Sequence, residues 1–114
     1  MKGYLINPFD QTIKPVILSD VDSNLKQIYA LLDCTTIDAV YTIDDHTIYV
    51  DDEGLFVEDQ LFFTYHGDNY THTLAGNGLI LGVDSEGNSI SPTITVKEVE
   101  EAIDFQPRGF DKWQ

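Results

Sequence analysis

Tyr49-Val50-Asp51-Asp52-Glu53-Gly54-Leu55 sets three consecutive acids between two apolar stretches and closes them with a glycine. Ile48 and Val50 read as the inward residues of a strand that turns away at Gly54. Residues 36–43 supply its partner, so that 36–43 and 46–51 form a hairpin around Asp44-Asp45. A two-residue loop sets the register. It puts Tyr41 opposite Ile48 and Ala39 opposite Val50 on the inner side. On the outer side it puts Val40 opposite Tyr49, Thr42 opposite Thr47, and Asp38 opposite Asp51. Like charges across a ladder are unfavourable by roughly a few tenths of a kcal/mol, so a chain that keeps such a pair either uses it or holds it fully solvated at a strand end, where it costs little.

Upstream of the hairpin, residues 3–6 and 12–18 read as short strands joined across Asn7-Pro8-Phe9-Asp10-Gln11, and Pro15 puts the second at a sheet edge or a bulge. Asp22 or Ser23 caps a helix whose stripe is Leu25, Ile28, Leu31 and Leu32, ending near Asp33. Downstream, Leu61-Phe62-Phe63-Thr64-Tyr65 is too short for periodicity to separate strand from helix, and residues 66–72 read as a polar loop. Gly78-Leu79-Ile80-Leu81-Gly82-Val83 is a central strand, followed by a tight or bulged turn at Asp84-Ser85-Glu86-Gly87-Asn88. Thr95 and Glu98 form a capping box that opens a helix to about Ile103, with Val99, Ala102 and Ile103 inward. The expected fold is α+β: a small, mainly antiparallel sheet with two helices in a single layer on one face. It occupies residues 1–103, and 104–114 form an aromatic-containing tail. Phe105 packs on the body; Phe110 and Trp113 either pack or offer an apolar contact to a partner.

The chain has 114 residues, 42% of them apolar, enough for one domain with its own core. Twenty acids face six bases, a formal charge of −14. That balance repels phosphate backbones and anionic lipid, which argues against direct nucleic-acid or membrane binding. Between residues 27 and 96 there is no Lys or Arg, whereas Asp33, Asp38, Asp44, Asp45, Asp51, Asp52, Glu53, Glu58, Asp59, Asp68, Asp84 and Glu86 all fall there. Cys34 is the single cysteine, so no internal disulfide forms. With no apolar signal region and no 18-residue apolar run, the expected location is cytoplasmic.

Each candidate site has a plainer structural reading. Asp20-Val21-Asp22-Ser23-Asn24 opens like a calcium loop, but Leu25 and Leu31 stand where the turn glycine and bidentate Glu belong. Asp51, Asp52 and Glu53 have carboxylates for acid/base chemistry or a divalent cation. However, adjacent strand residues point to opposite faces, and no base nearby orients an oxyanion. His46, His66 and His72 with Cys34 lack the short paired spacing of a zinc site. Leu74-Ala75-Gly76-Asn77-Gly78 has two glycines but no following Lys or helix, so it is no phosphate loop. It reads as a tight turn, with Gly76, Asn77 and Gly78 as candidate backbone contacts for a small ligand. No cofactor, metal or catalytic group is expected.

Several stretches together carry a family resemblance. They are Leu32-Asp33-Cys34-Thr35-Thr36-Ile37-Asp38, the stretch from Tyr49 to Leu55, Leu74-Ala75-Gly76-Asn77-Gly78-Leu79-Ile80-Leu81-Gly82, and Pro92-Thr93-Ile94-Thr95. They resemble a family of small acidic proteins carried by phages, plasmids and other mobile elements and catalogued as a domain of unknown function. The resemblance runs from about residue 2 to 103 and brings no catalytic or binding residues with it. It implies an accessory protein made inside a bacterial host cell. Context and charge converge on an acidic decoy that binds a host nucleic-acid-binding or defence protein, modulating it through Asp38, Asp44, Asp45, Asp51, Asp52 and Glu53. One alternative is capture of a nucleotide-like small molecule at Gly76, Asn77 and Gly78. Another is an assembly module using Val40, Tyr49 and the aromatic tail.

Overall fold

The computed structural model describes residues 1–19, 24–41, 46–54, 60–67 and 71–105. Strands β1 (Lys2–Asn7) and β2 (Thr12–Ile17) pair antiparallel. Their turn is tied by Asn7, whose Oδ1 accepts the N–H groups of Phe9 and Asp10 at 2.9 and 3.2 Å. β2 is an outer strand, where a proline is tolerated, and Pro15 is exposed there.

Helix α1 (Asn24–Leu32) buries Ile28 and Leu32. Leu25, expected in the same stripe, sits in the first turn and is 48% exposed. The helix ends in a Schellman arrangement: Cys34 N–H donates to the Tyr29 carbonyl and Asp33 N–H to that of Ala30. Asp33 takes the left-handed position at φ 52°. Asp22 and Ser23, the expected caps, lie outside the described residues.

Strands β3 (Ile37–Tyr41) and β4 (His46–Asp51) form the expected hairpin, but in a register one residue away from the expected one. Asp38 pairs with Val50, Ala39 with Tyr49, Val40 with Ile48, Tyr41 with Thr47, and Ile37 with Asp51. Because side chains alternate, a slip of one residue moves partners to opposite faces. Asp38 and Asp51 are therefore on opposite faces of the sheet, not a like-charge pair across the ladder. Val40 and Tyr49 form no shared outer face either, because Tyr49 packs against the core beneath α1. The turn itself, with Thr42, Asp44 and Asp45, lies outside the described residues.

Strands β5 (Phe62–His66) and β6 (Thr71–Ala75) pair antiparallel, so Thr71 and His72 belong to a strand rather than to a loop. β6 alternates exposed Thr71 and Thr73 with half-buried His72 and Leu74, a pattern of small polar residues that mimics a loop in sequence. Strand β7 (Gly78–Val83) is central, as its apolar run predicts, and β8 (Ser89–Ile90) folds back on it. Helix α2 (Val96–Ala102) opens with the Thr95–Glu98 capping box, both reciprocal bonds being present. It runs into β9 (Ile103–Phe105), which pairs with β5, so the body extends to Phe105.

Among the described residues these strands make two sheets. The larger runs β2-β1-β7-β4-β3, with β8 also on β7; the smaller runs β6-β5-β9. Alternation along β7 divides the core. Leu79 and Leu81 pack with Leu18, Ile28 and Leu32 under α1. Ile80 packs with Tyr4, Ile6, Ile48 and Val50 against Phe63 and Tyr65 of the small sheet and Val99 of α2. The α+β class with mainly antiparallel sheet and two helices holds, but the helices lie on opposite faces of the large sheet. A second, small sheet fills the layer beside α2. No described helix is long and apolar enough to cross a membrane.

The β7–β8 turn gives a local test. Asp84 Oδ1 accepts the N–H groups of Glu86 (2.9 Å) and Asn88 (2.8 Å), while Gly87 takes φ 86°. These donors, the Asn88 N–H foremost, hold the Asp84 carboxyl below the ordinary carboxylate range. A lowered folded-state value means the contribution is complete at neutral pH and fades only as pH falls through that value. Asp84→Ala is predicted to speed amide exchange at Glu86 and Asn88 at pH 7 while protection in β7 is kept. Unchanged exchange at both amides would show that the carboxylate does not hold the turn.

Candidate functional site

Where β4 ends and β7 begins, Val50 pairs with Gly78, bringing Asp51 beside Asn77 on neighbouring strands. Two stretches chosen separately in the sequence, the acids after Val50 and the Gly76-Asn77 turn, thus meet at one end of the large sheet. A side-chain latch fixes them. Gln60 Nε2 donates to the Gly54 carbonyl at 2.7 Å, and its Oε1 accepts the Leu61 N–H at 3.2 Å. The Gly76 N–H donates to the Leu61 carbonyl at 2.8 Å. Gly76 sits at φ 75°, where a Cβ would also press on the Gln60 amide, so glycine is required.

Two clefts flank this latch. One, of about 320 Å³, lies between the last turn of α1 (Leu32, Asp33), Phe9, Asp51, Gln60 and the Gly76-Asn77 turn. The other, of about 140 Å³, lies on the small-sheet side between Asp38, Asp51, Asp52 and the Thr73-Leu74-Ala75 edge. Asp51 lines both. Its Oδ1 accepts the Glu53 N–H at 2.9 Å, and the Asp52 N–H donates to the Thr36 carbonyl at 3.2 Å, so backbone bonds aim the acidic turn. Glu53 is exposed beside them and lines neither cleft. Asp44 and Asp45 lie outside the described residues. Asn77 Oδ1 is buried with no hydrogen-bond partner. Gly78 is no open backbone contact: Phe63 covers it, and a Cβ there would lie 2.6 Å from the ring.

Asp33, Phe9 and Gln60 line the larger cleft without having been singled out as site residues. Asp33 could have been found as the acid that closes the apolar stripe of α1. Phe9 and Gln60 carry no local signal, because only the tertiary fold brings them here.

No described Lys or Arg lines either cleft. The described lysines lie elsewhere. Lys2 starts β1, where its N–H donates to Ser91 Oγ at the far end of the sheet. Lys97 opens α2 after Thr93, whose N–H donates at 3.1 Å to Nε2 of the buried His46. His46 begins β4, about 17 Å of strand away from Asp51. Lys26 lies in the first turn of α1, and the last turn borders the cleft. The end of the sheet at the clefts therefore carries Asp33, Asp38, Asp51, Asp52 and Glu53, and the remaining described lysine, Lys14 of β2, lines a separate groove beside α2.

The histidines and the cysteine are spread through the fold. His46 is buried and bonded to Thr93, His66 at the exposed end of β5 pairs with Asp104 of β9 at 2.7 Å, and His72 lies in β6. Among the described residues no three His, Cys, Asp or Glu side chains group to hold a metal. Burial foremost, then the Asp51 charge, pushes the Cys34 thiol up. Asp51→Asn is predicted to speed alkylation of Cys34 at pH 8 by a factor of a few, since thiolate is the reacting form. An unchanged rate would place Asp51 too far away to be felt.

The family model described as Domain of unknown function (DUF3846) matches residues 1–104. None of the curated proteins and none of the solved structures matches the chain.

Proposed function

We propose that this chain, which belongs to that family of unknown function, acts by binding: its acidic end docks on a cationic protein surface. The observation that carries the reading is the gathering of Asp33, Asp38, Asp51, Asp52 and Glu53 around two clefts that no described cation lines. Carboxylates left without local counter-charges attract a basic partner over roughly a Debye length, about 8 Å at physiological salt. The natural owner of a basic groove is a protein that otherwise binds nucleic acid. The specific form of the proposal is a decoy: a phage- or plasmid-borne accessory protein, working in the host cytoplasm, that occupies such a groove in a host regulatory or defence protein. Binding rather than catalysis is favoured because the described polar lining of the clefts is carboxylates, amides and the Thr73 hydroxyl, and that hydroxyl is hydrogen-bonded to Thr64 rather than to a base.

The test is retention of host-lysate proteins on the immobilised chain, eluted by rising salt and identified by mass spectrometry. One nucleic-acid-binding protein, released at moderate salt, is the expected result. Retention that is flat from low to high salt would sink the decoy.

The larger cleft supports a second reading, capture of a small molecule. Its lining of Asp33, Asp51 and Asn77, without a described cation, suits a ligand rich in donors rather than one bearing phosphate. A donor-rich small molecule retained through purification, with no protein partner, would favour it.

A further inference from the structure

β2 and β3 are the outer strands of the large sheet, and they differ in the backbone they turn outward. At β2 the Leu18 N–H donates to the Met1 carbonyl at 2.7 Å and the Met1 ammonium donates to the Leu18 carbonyl at 3.2 Å, so these two form a hydrogen-bonded pair. Counting along the register from there, Ile13, Pro15 and Ile17 belong to the alternate pairs, whose backbone groups point away from β1. Pro15 has no N–H to present. The middle donor of that edge is missing, and exposed Lys14 stands beside it, two features that discourage a further strand.

At β3 the Asp52 N–H bond to the Thr36 carbonyl fixes the parity. Ile37, Ala39 and Tyr41 are then the residues whose backbone groups point away from β4. No proline or lysine interrupts Ile37–Tyr41, and among the described residues no strand lies beyond it. The middle donor is held by its own neighbour: Asp38 Oδ1 accepts the Ala39 N–H at 2.9 Å. Asp38 is exposed and lines the smaller cleft with Asp51 and Asp52. On the other face Ile37 packs under α1, and Ala39, two residues on, shares that face half-buried. A strand laid along β3 therefore meets carboxylates on one face and apolar surface on the other. A cation set against Asp38 would also draw its carboxylate off the Ala39 N–H and free that donor for the ladder.

We infer that β3 is a docking edge, on which an extended segment of a partner protein, alternating basic and apolar residues, adds as a further antiparallel strand. The inference deepens the acidic-end reading and rests on it for the sign of the partner's charge. A second copy of the chain is the poorer occupant, since at a formal charge of −14 each copy repels the other. In the antiparallel ladder the apolar residues of the segment lie opposite Ile37 and Ala39 and give their N–H groups to β3, while a basic residue lies opposite Asp38.

The probe is an end-capped peptide of about seven residues alternating lysine and valine, enough to span the five of β3, added to the full chain at low salt. Its twin carries N-methyl groups on the valines, which keeps every charge and removes the donors that face β3. The first peptide is expected to slow exchange of the Ile37, Ala39 and Tyr41 amides about ten-fold near saturation, and the twin to leave them unchanged. Equal effects of the two peptides, or binding of the first without protection of these amides, would overturn the docking edge and leave the attraction of cations to the acidic end standing. No binding of either peptide would overturn both. Slow exchange at the three amides in the free chain, lost on dilution, would assign the edge to a second copy and refute the proposal. Ala39→Pro repeats at β3 the arrangement of Pro15 at β2 and changes no charge. It is expected to abolish the difference between the two peptides, and a difference that persists in a folded variant would refute the edge as well.

Discussion

Phe63→Ala lowers the unfolding free energy by about 3–5 kcal/mol, the usual cost of truncating a fully buried Phe. Phe63 has no exposed surface and, with Tyr65, carries β5 of the small sheet onto the core of the large one. Its ring lies over Gly78, where β7 begins, and Ile48 of β4 borders the same spot. The packing predicts a second cost. A Cβ on Gly78 would stand 2.6 Å from Phe63 Cζ and 3.3 Å from Ile48 Cγ2, so Gly78→Ala costs about 1–3 kcal/mol by overpacking. With Phe63 already truncated, the added methyl enters free space. The double variant is therefore less destabilised than the two single costs together, with a coupling of about 0.5–3 kcal/mol. Urea denaturation at constant m-value measures all three. A loss under 1 kcal/mol for Phe63→Ala would mean that the two sheets are not held together at this contact.

That contact also shows where sequence reading stops. Local patterns found the elements whose signals are local: the Leu-rich stripe of α1, the Thr95–Glu98 capping box, the apolar run of β7, and Pro15 on an outer strand. Each depends on residues within one or two turns of one another. The small sheet depends on pairings across the chain, β5 with β9 above all, and on a strand of alternating Thr and His that carries no apolar signature. The expected single layer of helices failed for the same reason. Leu79, Ile80 and Leu81 are apolar on both faces, which tells that β7 is buried twice over but not which helix covers which side. The hairpin register failed on a parity: one residue more or less in the turn exchanges the faces, and neither register violates the hydrophobic pattern of β4, because His46, Thr47, Ile48 and Val50 are all buried. For the candidate site, the sequence singled out the acids at 51–53 and the Gly76-Asn77 turn but had no means of joining them. The antiparallel pairing of β4 with β7 does so, and it also recruits Asp33 and Gln60, which no motif marks.

The register decides how the acidic end should be tested, because Asp38 and Asp51 reach it from opposite faces. The variant with the largest expected effect on binding is Asp51→Asn combined with Asp52→Lys and Glu53→Lys. Asparagine at 51 keeps an oxygen for the Glu53 N–H that Asp51 Oδ1 now accepts, and the Asp52 N–H bond to Thr36 does not involve the replaced side chain. The turn is thus preserved while its charge is removed or reversed, and cooperative melting within a few degrees of the parent is expected. Affinity for a basic partner should fall about 100-fold or more, as when close charge pairs at an interface are broken and like charges are set face to face. The residual binding should have a shallower dependence on salt, since fewer charges remain to be screened. Asp38→Lys separates the two clefts, since Asp38 lines only the smaller one: a comparable loss says that the partner spans the sheet end, and full retention says that it engages only the larger cleft. A triple variant that melts as the parent does and binds with undiminished affinity would remove the acidic end from the function. If Asp51→Asn alone unfolds the chain, the same question passes to Asp52→Lys with Glu53→Lys, whose side chains are exposed and bear no described hydrogen bond of the fold.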